Sequence, residues 1–423
     1  MQLTIHRGTH EIGGSCVELV SKNARILIDI GLPLNDEALR SAKKLSKQQL
    51  LEQEILPGIQ GLYDNPDFDA VLISHAHLDH YGLLSYVHKD IPVYVSKGAE
   101  KLINLTSILN NQLTPLSDKT QTVVPWKSFL VKDVKITAYL MDHSGFDSLA
   151  FLIEADGKRI FYTGDFRAHG RKKVVFENLL KNPVKDIDYL ITEGTMLSRE
   201  NEVYKTEVDL EKELSDYLKH DNKLTLLSCS SQNIDRLVSA YRACLKTNTL
   251  FVIDPYTACI LDSLKDVSGG IPQYDWKDNV IKILFLPNKH TKRVLEELGL
   301  YRFGSAKITL DEIVGQKQKM LIKDSYTMRN ILRNKNLLSN RTLIYSQWEG
   351  YLNERLQNFW KTNEVDIVQQ HVSGHAYFED IQKLADSLDP KFVIPIHTEF
   401  PEKFKNLKGH NIKYLKDGQK VEL

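Results

Sequence analysis

An apolar run, Ala70-Val71-Leu72-Ile73, leads into Ser74-His75-Ala76-His77-Leu78-Asp79-His80, so four side chains able to bind a metal crowd into six positions at the end of a strand. In an extended segment alternate side chains share a face, which predicts that His75, His77 and Asp79 point one way while His80 enters a turn or helix start. Imidazoles and a carboxylate at this spacing suit zinc, which takes nitrogen and oxygen ligands at roughly 2.0–2.2 Å and keeps an open position where it is catalytic. The competing reading is a set of solvated loop residues. So tight a cluster against a buried strand disfavours it.

A chain of 423 residues is long enough for two or three domains with a sizeable core. Hydrophobic residues at 42% and charged residues at 26% place it among globular proteins rather than disordered or fibrous ones. Lys+Arg and Asp+Glu balance at 55 each, so a polyanionic partner would have to be held by a local patch. Cys16, Cys229, Cys244 and Cys259 form no CxxC pair, which fits a reducing compartment and leaves them as small apolar groups. No secretory signal opens the sequence, and no run approaches the ~18 apolar residues of a membrane helix. The expectation is a cytoplasmic, soluble protein without a membrane partner.

Along the first 195 residues, short β-rich runs at 3–7, 16–20, 25–29, 70–74, 92–95, 134–141, 149–154, 159–162 and 189–192 are separated by turn signals such as Gly13-Gly14 and Asp156-Gly157. Amphipathic spacing predicts helices within 36–54 and over 97–111. From about 208 the pattern changes: helices at 210–220 and 233–245 alternate with apolar strands at 224–228, 250–253, 281–286 and 342–346, which reads as βα units building a mostly parallel sheet. A strand at 367–371, a helix near 378–388 and a strand at 392–396 follow. Between 267 and 331, Pro, Gly and mixed charge leave no clean period.

Three more ligand candidates sit where strands end: His143 in Asp142-His143-Ser144-Gly145, Asp165 in Thr163-Gly164-Asp165, and His397 after 392–396. Singly, each reads as an ordinary rim residue. Together with the first cluster they place metal-binding types on loops at a sheet edge, where function concentrates.

This combination resembles the metallo-β-lactamase fold superfamily, with Glu11-Ile12-Gly13-Gly14 and Ile28-Asp29-Ile30-Gly31 looking like its opening strands and turns. The interval from Asp165 to His397, 397 − 165 = 232 residues, leaves room for an inserted domain. Its flanks resemble the β-CASP nucleases: Ile191-Thr192-Glu193-Gly194-Thr195, Val372-Ser373-Gly374-His375-Ala376 and Ile394-Pro395-Ile396-His397-Thr398-Glu399 look like the motifs that family adds, in wording nearest the RNase J branch. The resemblance implies an α/β protein, an αββα metallo-β-lactamase sandwich with an inserted parallel-sheet β-CASP domain. The expected boundaries are 1–204 for the first part of the sandwich, 205–347 for the insert and 348–423 for the return. Two departures stand out: Thr398 replaces the usual glycine, and only 423 − 397 = 26 residues follow His397. The further C-terminal domain of RNase J is therefore expected to be missing, and any homo-oligomer is not expected to be of the type built on it.

By resemblance, two zinc ions, with manganese as the alternative, would be held by His75, His77 and His143 and by Asp79, His80 and His397, with Asp165 between them. Two such metals can clamp the attacking and leaving oxygens of a phosphoryl displacement. The resemblance assigns catalysis to Asp79, to His375 as general acid and to Glu193 as its partner, since a neighbouring carboxylate favours the imidazolium. Backbone amides at Ser373 and Gly374 would hold a phosphate if a helix starts there.

The implied activity is a zinc-dependent nuclease hydrolysing single-stranded RNA, RNase J-like, as a 5′ exonuclease, an endonuclease or both. A DNA nuclease of the same plan stays open, as does a subunit or scaffold of a larger complex. A thioesterase-like hydrolase is disfavoured by the insert, and a flavin di-iron oxidoreductase would need an acid at His77. For the nucleic-acid partner, Arg167 and Arg171, with His169, Lys172 and Lys173, form a basic run that could meet a backbone. Tyr345, Trp348 and Tyr351 are candidates for base stacking, with core packing as the commoner fate.

Overall fold

The computed structural model describes residues 1–35, 38, 44–109, 113–199, 205–220, 224–285, 296–315 and 318–423. The chain divides into two units, Met1–Val203 with Gly374–Leu423, and Tyr204–Ser373. The expected return at 348 is corrected to 374. Strand Val365–Gln369 pairs in parallel with Arg341–Tyr345 and so belongs to the sheet of the second unit.

The first unit holds two sheets. One runs, in spatial order, Lys420–Glu422, Gln2–Arg7, Cys16–Val20, Arg25–Ile28, Ala70–Leu72, Val93–Ser96 and Gln121–Val123. The other runs Phe392–Ile396, Tyr189–Glu193, Lys158–Tyr162, Leu149–Ala155, Val134–Leu140 and Ser128–Val131. Alternating apolar residues of both sheets meet in one core, with Leu3, Ile5, Val17, Ile26 and Leu72 from the first and Ile136, Phe151, Ile160, Ile191 and Ile394 from the second. The far face of the second sheet takes Phe176 and Leu179 from helix Lys173–Lys181 and Ile381 and Leu384 from helix Phe378–Leu388. Helix Lys97–Leu109 lies against Val93–Ser96 and Gln121–Val123. These layers are the αββα sandwich.

Strand Phe392–Ile396 forms one rim of its sheet. The Val393 amide, which faces away from the sheet, donates to Asn411, Pro395 has no amide hydrogen, and the His397 amide donates to Gly8.

The second unit is a sheet paired in parallel throughout, in the order Lys307–Ile308, Ile281–Leu284, Leu250–Ile253, Met320–Lys323, Leu224–Ser228, Arg341–Tyr345 and Val365–Gln369. Helices Tyr326–Asn334 and Glu354–Thr362 bring Met328, Leu332 and Trp360 onto Leu226, Ile322 and Leu343. Arg236 is fully buried here and donates to Glu207 Oε1 at 3.1 Å, the Ser346 carbonyl at 2.7 Å and the Val372 carbonyl at 3.1 Å.

Where 36–54 predicts one amphipathic helix, the described part is a short helix, Lys47–Glu52, whose capping box joins Ser46 and Gln49; residues 36–37 and 39–43 lie outside the described residues. The ends of the predicted helix at 110–111 and of the predicted strand at 286 also lie outside them. Among the described residues, no helix is long and apolar enough to cross a membrane.

Candidate metal centre and active site

Strand Ala70–Leu72 stops short of His75, because Asp29 takes over the chain: its Oδ1 accepts the Ser74 amide at 2.7 Å and its Oδ2 the Ser74 hydroxyl at 2.7 Å. Asp29 itself sits in the left-handed region, φ 58°, at the end of Arg25–Ile28. His77 then caps a single helical turn, Leu78–Tyr81, that carries Asp79 and His80. The predicted alternation of His75, His77 and Asp79 along one strand is therefore corrected, since the cluster sits on a loop and a helical turn. Segment Ile30–Leu32 lies against that turn, the Ile30 amide donating to the His80 carbonyl at 2.8 Å. Only glycine fits at Gly31, where a Cβ would come within 1.7 Å of the Asp79 carbonyl oxygen.

The distant candidates converge on the same place. Ligating atoms of His75, His77 and His143 lie within 4.8 Å of one another, and so do those of Asp79, His80, Asp165 and His397. Asp165 Oδ2 faces both groups, 3.2 Å from His80 Nε2, 3.8 Å from His397 Nε2 and 3.9 Å from the Nε2 atoms of His75 and His143. Three of the rings are oriented from behind. His80 Nδ1 donates to Asp29 Oδ2 at 2.8 Å and His143 Nδ1 to the Gly374 carbonyl at 2.6 Å. His397 Nδ1 lies 2.8 Å from the Ser15 hydroxyl. Such partners fix which nitrogen is presented inward.

His75, His80, His143, Asp165 and His397 are all buried. Burial pushes His75, His77, His143 and His397 toward the neutral imidazole, the form that binds a metal. For His80, burial is outweighed by Asp165 and Asp29, which hold its pKa well above the usual value. Burial likewise opposes ionisation of Asp165, but His397, His80 and His375 keep it well below the carboxylate range. His75 Nε2, His397 Nε2 and Asp165 Oδ1 are buried without a hydrogen-bond partner. Inward-facing lone pairs with no protein partner are costly unless a cation takes them, so the donor set fits divalent metal.

Beside this cluster, His375 Nδ1 lies 3.0 Å from Glu193 Oε2 and 3.6 Å from Asp165 Oδ2. Glu193 is fully buried at the end of Tyr189–Glu193, and its Oε1 accepts the Phe166 amide at 2.8 Å. Burial lowers the His375 pKa, yet Glu193 and Asp165 more than offset this and raise it.

The substrate-contact expectations fare differently. Arg167 and His169 are fully buried, so neither can meet a polymer at the surface, and Arg167 is paired with Asp142. Arg171 and Lys172 are half-buried, with Lys172 Nζ 5.5 Å from the Phe146 ring, while Lys173 opens helix Lys173–Lys181. The helix after Ser373 and Gly374 starts only at Phe378, so their amides do not form its N-terminus and the phosphate expectation loses that basis. Tyr345 is buried in the second unit's core and unable to stack on a base; Trp348 and Tyr351 are exposed and meet edge to face at 5.2 Å. Asp29, Ser15 and Asp142 were not singled out as site residues from the sequence. A lone acid directly after the apolar run Ile26-Leu27-Ile28 was the one available signal.

Comparison with known proteins agrees with this geometry. The family described as "Beta-lactamase superfamily domain" matches residues 24–225, and the "Zn-dependent metallo-hydrolase RNA specificity domain" matches residues 365–407. Ribonuclease J of Mycoplasma genitalium is 24% identical over 441 residues, covering 98% of this chain and 72% of that protein. The transcription termination factor FttA of Lokiarchaeum is 24% identical over 245 residues, 52% of this chain and 35% of that protein. A crystal structure of a protein of unknown function from Enterococcus faecalis V583 superposes with a TM-score of 0.80 at 22% identity, over 100% of this chain and 99% of that one. With the sandwich, the inserted parallel sheet and the converging His and Asp side chains, these matches show a metallo-β-lactamase-fold hydrolase with ribonuclease J and FttA, of the β-CASP nuclease family, among its homologues.

Proposed function

We propose that the protein is a metal-dependent ribonuclease that cuts phosphodiester bonds of single-stranded RNA. The observation that carries this reading is the placement of His375, gripped by Glu193 and set 3.6 Å from Asp165 at the edge of the metal-ligand cluster. Support for RNA comes from the relatives named ribonuclease J and from the RNA specificity match over residues 365–407, which contain both His375 and His397.

In this reading His75, His77 and His143 would hold one zinc ion and Asp79, His80, Asp165 and His397 would hold a second. When bound, the ions supply Lewis acidity to the phosphoryl oxygens and lower the pKa of water toward ~7. Asp29 and the Gly374 carbonyl accept from the Nδ1 atoms of His80 and His143, so that each ring would turn its Nε2 toward a metal. Glu193 keeps the proton on His375 and aims the ring, so that His375 donates it to the departing alkoxide oxygen.

The test incubates zinc-loaded protein with 5′- and 3′-end-labelled single-stranded RNA and DNA, beside the variants Asp79→Ala and His375→Ala. RNA cleavage lost in both variants is the expected result. Mononucleotides from one end mark an exonuclease and internal fragments an endonuclease. Cleavage of DNA alone, of neither polymer, or undiminished cleavage by both variants would sink the proposal.

A further inference from the structure

Arg167 and Asp142 form an ion pair in the interior of the first unit. Both are fully buried, Arg167 Nε lies 3.4 Å from Asp142 Oδ1, and the Arg167 amide donates to the Asp142 carbonyl at 2.7 Å. Asp142 directly precedes His143, and Arg167 follows Asp165 by two residues, so the pair ties together the two loops that carry these donors. A third element shows that the arrangement is built: a Cβ on Gly170 would sit 2.3 Å from Asp142 Oδ1 and 2.4 Å from Arg167 Nε, so only glycine leaves room for the pair. The same loop reaches further, since the Phe166 amide is bound by Glu193 and the His169 ring lies 4.9 Å from that of Tyr377, two residues past His375.

A buried ion pair adds little net stability over apolar residues of the same volume, because desolvation offsets most of the attraction. Its distinct property is direction: a guanidinium and a carboxylate lock two backbones in one register. Here the register in question brings His143 Nε2 to 3.9 Å from Asp165 Oδ2.

We propose that Arg167 and Asp142 are positioning residues that hold His143 and Asp165 at ligating separation and thereby set the affinity of the site for divalent metal. This rests on the reading of the cluster as a metal site. The pair touches neither substrate nor reacting atoms; it acts through the two loops.

The experiment measures zinc affinity by competition with a chromogenic chelator, thermal unfolding of the metal-free protein, and RNA cleavage kinetics. It compares wild type with the double variant Arg167→Met/Asp142→Leu and with Arg167→Lys. Replaced together by apolar residues, the pair should leave metal-free unfolding near that of wild type, while zinc affinity falls about 10–100-fold, the usual effect of disturbing groups behind the ligands. The loss should fall on kcat with KM nearly unchanged, as for a group that does not bind substrate. Arg167→Lys, which keeps the charge without the planar fork, should fall between. A folded double variant with wild-type zinc affinity overturns the proposal. If the double variant does not fold, Arg167→Lys decides, and unchanged affinity there overturns it equally. Wild type that binds no zinc sinks this inference and the metal reading together, whereas wild type that binds zinc but spares RNA sinks only the ribonuclease.

Discussion

Glu193 grips His375 from inside the fold, Oε2 standing 3.0 Å from Nδ1 while Oε1 is held by the Phe166 amide. The carboxylate is thus fixed at both oxygens and cannot follow the ring if it turns. His375→Ala should lower kcat by about 10²–10⁴-fold, the range for loss of a general acid, with bound zinc unchanged. Glu193→Gln should fall short of that loss, since the ring survives and only its orientation and charge are disturbed. Single-turnover cleavage with metal analysis of the same samples checks both; zinc lost in step with activity would reassign His375 to the ligand set.

Asp29 gathers the Ser74 hydroxyl, His80 Nδ1 and the Tyr162 hydroxyl on one oxygen, the last two at 2.8 Å. Asp29→Asn removes the charge that orients His80. Zinc affinity should drop about 10–100-fold, read by chelator competition, and wild-type affinity in the variant would show that the ring is held by packing alone.

In the second unit, Arg236→Ala would strand the Glu207 carboxylate in the interior. Removing one partner of a buried pair costs about 3–5 kcal/mol, and urea unfolding of the full chain followed by circular dichroism should show that loss. A change below about 1 kcal/mol, the range of an exposed pair, would mean that water reaches Glu207.

Glu18 lies between His6 and Arg25, with His6 Nε2 and Arg25 Nε each 2.7 Å from one of its oxygens. Burial alone would raise its pKa, but those two hydrogen bonds outweigh burial and hold it below the ordinary value of 4.5. A folded-state pKa below the unfolded one stabilises the protein above the unfolded value, and that contribution disappears as pH falls through the folded one. Glu18→Gln should therefore lower the melting temperature at pH 7, with the gap to wild type closing as the medium is acidified below about pH 4. A gap that stays constant down to pH 3 would contradict this assignment.

Much of the fold was legible because apolar runs bounded by turns stand out: Cys16–Val20, Leu250–Ile253 and Phe392–Ile396 appear at their expected ends. Gln121–Val123, Ser128–Val131 and Lys420–Glu422 escaped because they are mostly exposed edge strands with little apolar alternation. Helix Pro255–Ser263 carries a readable start, Asp254 followed by proline, but its residues 257–262 are all buried and so show no amphipathic period. The donors of the candidate site were legible from residue type, and the fold brings them together. Arg167 was misread for a general reason: a charge in a basic run looks solvated until its partner, Asp142, arrives from another loop. Asp29 shows the converse, an unremarked acid that three other segments make central.

The rim strand Phe392–Ile396 leaves an incoming chain nothing to grip. One outward amide is already bound to Asn411, the next position is Pro395, and the one after is tied to Gly8. A neighbouring molecule therefore finds no run of donors to template a further strand, and fibrous stacking or strand exchange is blocked on this side. The residue that closes this rim, His397, is also a candidate ligand, so the segment that guards the sheet against self-association is the one that completes the site.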